Sequence, residues 1–114
     1  MKLNPPGTAI QKASYVGASN YDQVFFVEID RLNQIFLLGQ SVGGTFPVNN
    51  APYSNPGSSQ FILKLNPNLT TNLASTVIGN GSPSINISPA AFLVDICGNM
   101  YVSGWGANIL QSVP

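Results

Sequence analysis

Hydrophobic and polar residues alternate with a period of two along much of this chain, and that period predicts strands. In "VFFVEID" (24–30), Phe25, Val27 and Ile29 fall on one side, with Phe26, Glu28 and Asp30 on the other. Ala90, Phe92 and Val94 repeat the phase later in the chain. The run "QIFLLG" (34–39) is apolar on both sides, which predicts an inner strand covered on both faces. "QFILKLN" (60–66) alternates again, directing Phe61, Leu63 and Leu65 towards a core, and "LASTVIG" (73–79) adds a strand that ends at a glycine turn. No window combines helical spacing with capping residues. The expected fold class is all-β.

The strand pattern is also repeated. "MKLNPPGTAIQKASYVG" (1–17) aligns without a gap on "LKLNPNLTTNLASTVIG" (63–79), with Lys, Leu, Asn, Pro, Thr and Gly coinciding at an offset of 62. "VEIDRLNQIFLLG" (27–39) aligns on "FLVDICGNMYVSG" (92–104) at an offset of 65, pairing Asp30 with Asp95, Phe36 with Tyr101 and Gly39 with Gly104. The extra residues fall in the loop 80–89. A four-stranded unit recurring end to end, with apolar residues on both faces, predicts antiparallel β-propeller blades, each packed on its neighbours. The expected division is 1–17 as the end of one blade, 18–79 as a full blade and 80–114 as the start of the next. That is about 1.8 blades, and closure needs about four to eight, so a fragment of a longer propeller is expected. A seven-stranded β-sandwich of this length is the alternative.

Residues 42–58 ("VGGTFPVNNAPYSNPGS") form the longest predicted loop, and its prolines and glycines argue against a hidden strand. Such a loop is expected at the surface, where binding concentrates.

Composition narrows the partners. The 114 residues carry four basic and four acidic side chains, 7% of the chain. Nucleic acid and anionic membrane surfaces require clustered Lys and Arg, so neither is an expected partner. No run approaches the length of a membrane span. "MKLNPPG" has no apolar stretch behind its lysine, so a cleavable signal peptide is not expected in the chain. With one cysteine and no histidine, no intrachain disulfide and no Cys/His metal cluster is expected. Cys97 reads as a small half-buried residue with no neighbouring base to activate it.

The motifs read mainly as structure. In "DICGN" (95–99) an aspartate followed by glycine suits a tight strand connection: the carboxylate accepts backbone N–H groups and glycine takes the left-handed conformation. "DRLNQ" (30–34) keeps the aspartate and places Asn33 where Gly98 stands, and Asn tolerates that conformation next best. One carboxylate per copy is too few for calcium. "GWG" (104–106) and "GNG" (79–81) lack the remaining features of a dinucleotide fingerprint. Catalysis has little to draw on. No histidine can activate a serine or cysteine, and Asp22, Glu28, Asp30 and Asp95 offer no evident flanking pair for glycoside cleavage. Trp105, placed just past a strand end, and the tyrosines Tyr21, Tyr53 and Tyr101 are the amphipathic groups able to stack on sugars or pack between blades.

Taken in order, Gly17 and Asp22, "VEIDRLNQIFLLG", "TFP" (45–47), "FILKLNP" and "ISPAAFLVDICGNMYVSGWG" resemble the secreted bacterial β-propeller repeats of gliding-motility-associated, type IX-secreted surface proteins. The resemblance covers essentially the whole chain. It implies an extracellular or cell-surface propeller without catalytic role or cofactor, a scaffold or adhesion module. Its partners would be neighbouring blades and glycan or a surface protein held by blade loops. Tyr21, Asp22 and Trp105 are the ligand-binding candidates. Two departures bear on a site shared by every blade: Asp22 has no acidic counterpart in "GNGSPSINIS", and Asn33-Gln34 replaces Gly98-Asn99. The alternative is part of a propeller enzyme acting on polysaccharide, with its acids outside this chain. A third reading is a self-assembling fragment that completes its sheets through exposed strand edges.

Overall fold

The computed structural model describes residues 1–106, and its fold is all-β: eight antiparallel strands in three sheets, with no helix among the described residues. The strands are β1 (Lys2–Leu3), β2 (Ile10–Lys12), β3 (Asp22–Ile29), β4 (Ile35–Ser41), β5 (Gln60–Leu65), β6 (Asn72–Ile78), β7 (Ile87–Val94) and β8 (Met100–Gly106). β3-β4-β5-β6 form a four-stranded meander, flanked in sequence by the hairpins β1-β2 and β7-β8. The described strands therefore make three sheets rather than the two of a sandwich, and they close into neither a barrel nor a ring.

The two offsets read from the sequence reappear in the geometry. β7 and β8 begin and end 65 residues after β3 and β4. Each pair carries a register shift at the same place, between Val24 and Phe26 in β3 and between Pro89 and Ala91 in β7. The shift moves Phe25 out of the alternation, so Val24, opposite Gly39, shares a face with Val27 and Ile29. Period-two counting alone places Phe25 there, because a bulge leaves no hydrophobic signature.

The tight turns are duplicated as well. Asn4 and Asn66 each use Oδ1 to accept two backbone N–H groups, from Thr8 and Ala9 and from Thr70 and Thr71, and each donates Nδ2–H to the threonine hydroxyl. Asp30 Oδ1 accepts the N–H groups of Leu32 and Gln34, and Asp95 Oδ1 those of Cys97 and Asn99. Asn33 (φ 60°) and Gly98 (φ 84°) hold the same left-handed position. The shared-turn expectation holds residue by residue. Cys97 differs from its expectation: it is exposed, since its N–H serves the turn and its side chain lies outside any core.

The central sheet is apolar on both faces. Its front face gathers Leu37, Phe61, Leu63, Leu65 and Val77 around Phe46 from the loop between β4 and β5. Its back face gathers Phe36, Leu38 and Ile62 against Phe92 and Val94 of β7. β4 is thus an inner strand buried on both sides, as its uninterrupted apolar run predicts. Phe61 and Leu38 are fully buried, each stabilising the fold by roughly 1.5–3 kcal/mol relative to exposure.

Stacking of unit on unit explains one asymmetry. Phe92 and Val94 are 6% and 9% exposed because β7 lies on the back face of the central sheet, whereas their equivalents Val27 and Ile29 are each 60% exposed. The same positions in the same strand are buried only where another sheet lies in front of them. The body is correspondingly long, 48 × 31 × 26 Å. No helix among the described residues is long and apolar enough to cross a membrane.

Candidate binding surface at the long-loop edge

A meander sends alternate connections to opposite ends of its strands. All four tight turns (residues 4–9, 30–34, 66–71 and 95–99) gather at one end, and the long connections 13–21, 42–59 and 79–86 gather at the other. These three loops contain no charged residue.

Backbone bonds join the loops into one surface. Val42 N–H donates to Tyr21 O at 2.9 Å, and Gly43 N–H donates to Pro83 O at 3.1 Å. Beneath them lies a buried polar layer of Gln40, Ser41, Ser58, Ser59 and Gln60. Gln60 Nε2–H donates to Ile87 O at 3.0 Å, Ser59 Oγ–H to Ser84 O at 2.8 Å, and Ser58 Oγ accepts Gly81 N–H at 2.9 Å. Buried hydroxyls and amides hold a loop in place only when they find such partners. Asp22 Oδ1, Ser41 Oγ, Gln60 Oε1 and Asn86 Oδ1 are buried without a protein partner, so acceptor capacity remains at the roots of the loops. The sequence signal for this layer is "SSQ" (58–60), which alternation alone reads as the margin of a strand.

The connection 42–59 contains no strand, as its prolines predict, but it is not wholly superficial. Phe46 is buried and stacked on Phe61, because the loop folds back over the front face. Further along, the loop follows the outer edge of β6. Asn49 and Ser75 exchange backbone bonds, Asn55 N–H donates to Val77 O, and Asn55 Nδ2–H donates to Gly79 O at 2.6 Å. This shields an edge strand that would otherwise offer unpaired backbone groups.

Of the candidate residues, Tyr21 sits in the loop surface, exposed, with its hydroxyl donating to Gln23 Oε1 at 2.7 Å. Tyr15, on the same loop, is fully exposed. Asp22, half-buried at the start of β3, turns its carboxylate inward: Oδ2 accepts Ala18 N–H at 2.8 Å and Oδ1 is enclosed. Gly17 lies against that carboxylate, where any Cβ would collide with it. Gly17 and Asp22 therefore act together to fasten loop 13–21. Tyr53 lies apart, along β6, and Tyr101 lies at the opposite end, donating its hydroxyl to Asp95 Oδ2 at 3.2 Å. Trp105 is within β8, opposite Ser88, rather than past the strand end; it is exposed, and it borders a shallow hollow of about 230 Å³ with Ile85 and Asn86. Its equivalent in the central sheet is Gln40, which is buried.

The carboxylates are dispersed. Asp30 and Asp95 occupy separate turns at the tight-turn end, and Asp22 is at the other end. Among the described residues no group of three or more Cys, Asp or Glu side chains is placed to hold a metal ion. Comparison with protein-family models, with curated proteins and with solved structures finds no match to this chain.

Proposed function

We propose that this chain is built of β-propeller blades of the secreted bacterial repeat kind, a noncatalytic extracellular or cell-surface module that binds neutral glycan through its long-loop edge. The propeller reading draws support from a four-strand meander whose halves recur in the flanking hairpins with matching bulges and turns, and whose back face is covered by β7. The binding reading rests on one observation: three uncharged loops, rich in Asn, Ser and Gly, are hydrogen-bonded into a single surface that presents Tyr15 and Tyr21. Sugars are recognised by neutral hydrogen bonding together with contact between their C–H faces and aromatic rings. A surface without charge does not supply the neutralisation that phosphate-bearing partners require.

Screening the chain against immobilised neutral and acidic glycans tests this. Binding to neutral glycans that changes little with salt, and falls at least about tenfold in Tyr21→Ala (roughly 1.4 kcal/mol), is the expected result. Release of reducing sugar from polysaccharide, or binding that Tyr15→Ala and Tyr21→Ala leave unchanged, would defeat it.

A further inference from the structure

The two flanking hairpins repeat complementary halves of the central sheet. β7-β8 repeats β3-β4, and β1-β2 repeats the adjoining parts of β5 and β6, down to the register shift between Lys2 and Leu3 that matches the one between Lys64 and Leu65. β4 pairs with β5 in the central sheet; among the described residues β8 pairs only with β7, and β1 only with β2.

Each flank borders an apolar cavity on the central sheet. One, of about 300 Å³, lies between β1 and the front face of the central sheet and is lined by Val27, Ile29, Leu37 and Leu65. The other, of about 270 Å³, lies between β8 and the back face and is lined by Phe36, Ile62, Ile78, Met100 and Val102.

We propose that the edge of β8 without a strand neighbour among the described residues is a docking site for the β1-β2 hairpin of a second copy of this chain, an inference that rests on the repeat-unit reading above. The β4-β5 register, in which Ile35 opposes Leu65 and Phe36 opposes Lys64, then sets the intermolecular one. Met100 opposes Leu3 of the incoming copy, and Tyr101 opposes its Lys2. Met1 and Leu3, now 76% and 45% exposed, enter the second cavity; their equivalents Leu63 and Leu65 are 6% and 8% exposed. Lys64 Nζ lies 5.0 Å from the Phe36 ring centroid, so Lys2 of the incoming copy lies over Tyr101 in the same way. The incoming copy's Val27 and Ile29 seat on Leu93 and Tyr101, and its front face covers Trp105 where Gln40 is covered in the central sheet. Strand addition of this kind draws affinity from backbone bonds and register from alternate side chains.

The contact is head-to-tail, so it closes into a ring or runs on as a filament. Each copy supplies two units, and closure at about four to eight units needs about two to four copies.

Sedimentation velocity at up to roughly 100 μM, where micromolar contacts are populated, with cross-linking in a Cys97→Ser background, tests the proposal. Directly opposed residues have Cβ atoms about 4.5–5.5 Å apart. Lys2→Cys with Tyr101→Cys is expected to yield disulfide-linked multiples of the 12.0 kDa chain, and Lys12→Cys with Tyr101→Cys is expected not to. Tyr101→Lys should dissociate the assembly by placing a positive charge against Lys2, and adding Lys2→Glu should restore it, which a misfolded variant would not do. A monomer with intact strand content, or an assembly in which the in-register pair fails to cross-link, overturns the proposal. A monomer that still binds glycan would remove the docking site and leave the loop surface; an in-register assembly that binds no glycan would do the reverse.

Discussion

The Phe46 and Phe61 rings stack with centroids 3.9 Å apart and planes 3° from parallel, one from a loop and the other from the middle of β5. The contact ties the longest connection to the front face of the sheet. Phe46→Ala removes the ring and leaves a hollow over Phe61, at a cost of about 3–5 kcal/mol if the site does not collapse. Its measurable signature is a lowered urea midpoint, together with faster amide exchange through residues 42–59 while β4 and β5 stay protected.

Asn66 and Asn4 make the same bonds in different surroundings, so the same substitution should have unequal effects. Asn66 closes the turn between two strands of the packed sheet. Asn66→Ala leaves two backbone N–H groups without their acceptor and is expected to cost roughly 1–2 kcal/mol, read as a fall of several degrees in Tm. Asn4 closes a hairpin whose strands pair only with each other among the described residues. Asn4→Ala should leave Tm within about 1 °C, because opening that hairpin does not unfold the central sheet.

Much of this was legible in the sequence for a physical reason. Constant offsets report a chain that solves one folding problem more than once, and the solution is carried by small side chains, Asn4/Asn66 and Asp30/Asp95, whose geometry depends on their immediate neighbours. What depends on distant partners was not legible. The displacement of Phe25 by a bulge, the burial of Phe46 and the inward turn of the Asp22 carboxylate are set by what the rest of the fold brings near. The burial of Phe92 against the exposure of Val27 is the clearest instance, since the two occupy equivalent positions and differ in what lies in front of them.

The turn at 95–99 should loosen in acid. The Asn99 side-chain amide holds the Asp95 carboxyl below its ordinary value of 3.8, helped by the N–H groups of Asn99 and Cys97 and by the Tyr101 hydroxyl. A carboxylate depressed by folding contributes stability above its unfolded value, and the contribution is lost as pH falls through the lower folded value. Tyr101 shifts upward, chiefly because its hydroxyl donates to Asp95 and also because of the carboxylate's charge. The stability from its neutral form is present below pH 10.0 and is lost as pH rises through the raised value. The Cys97 and Asn99 amide resonances should therefore move together below pH 3.8, and Asp95→Ala should abolish that movement.

Gly39 and Gly104 occupy one position in successive units, and replacing each by alanine separates what the strand requires from what the core requires. A Cβ on Gly104 would meet Ser88 O at 2.7 Å, with Ile87 and Pro89 at 3.3 Å, so β7 and β8 would have to spread. β8 has an edge without a strand neighbour among the described residues, which lets it move, and Gly104→Ala should cost only about 1 kcal/mol. A Cβ on Gly39 would meet the Gln23 carbonyl on one strand and the Phe61 ring from the other, at 2.6 Å from Cζ, while β4 is held on both edges. Gly39→Ala should cost about 3 kcal/mol, the upper end for an overpacked core, and should displace Phe61 from its stack on Phe46. Phe61→Leu withdraws the ring that the methyl group strikes, so in urea denaturation the double variant should be less destabilised than the sum of the two single variants by about 1 kcal/mol or more. Strict additivity would mean that the Gln23 carbonyl alone excludes the methyl group, and that the aromatic stack plays no part in keeping this position glycine.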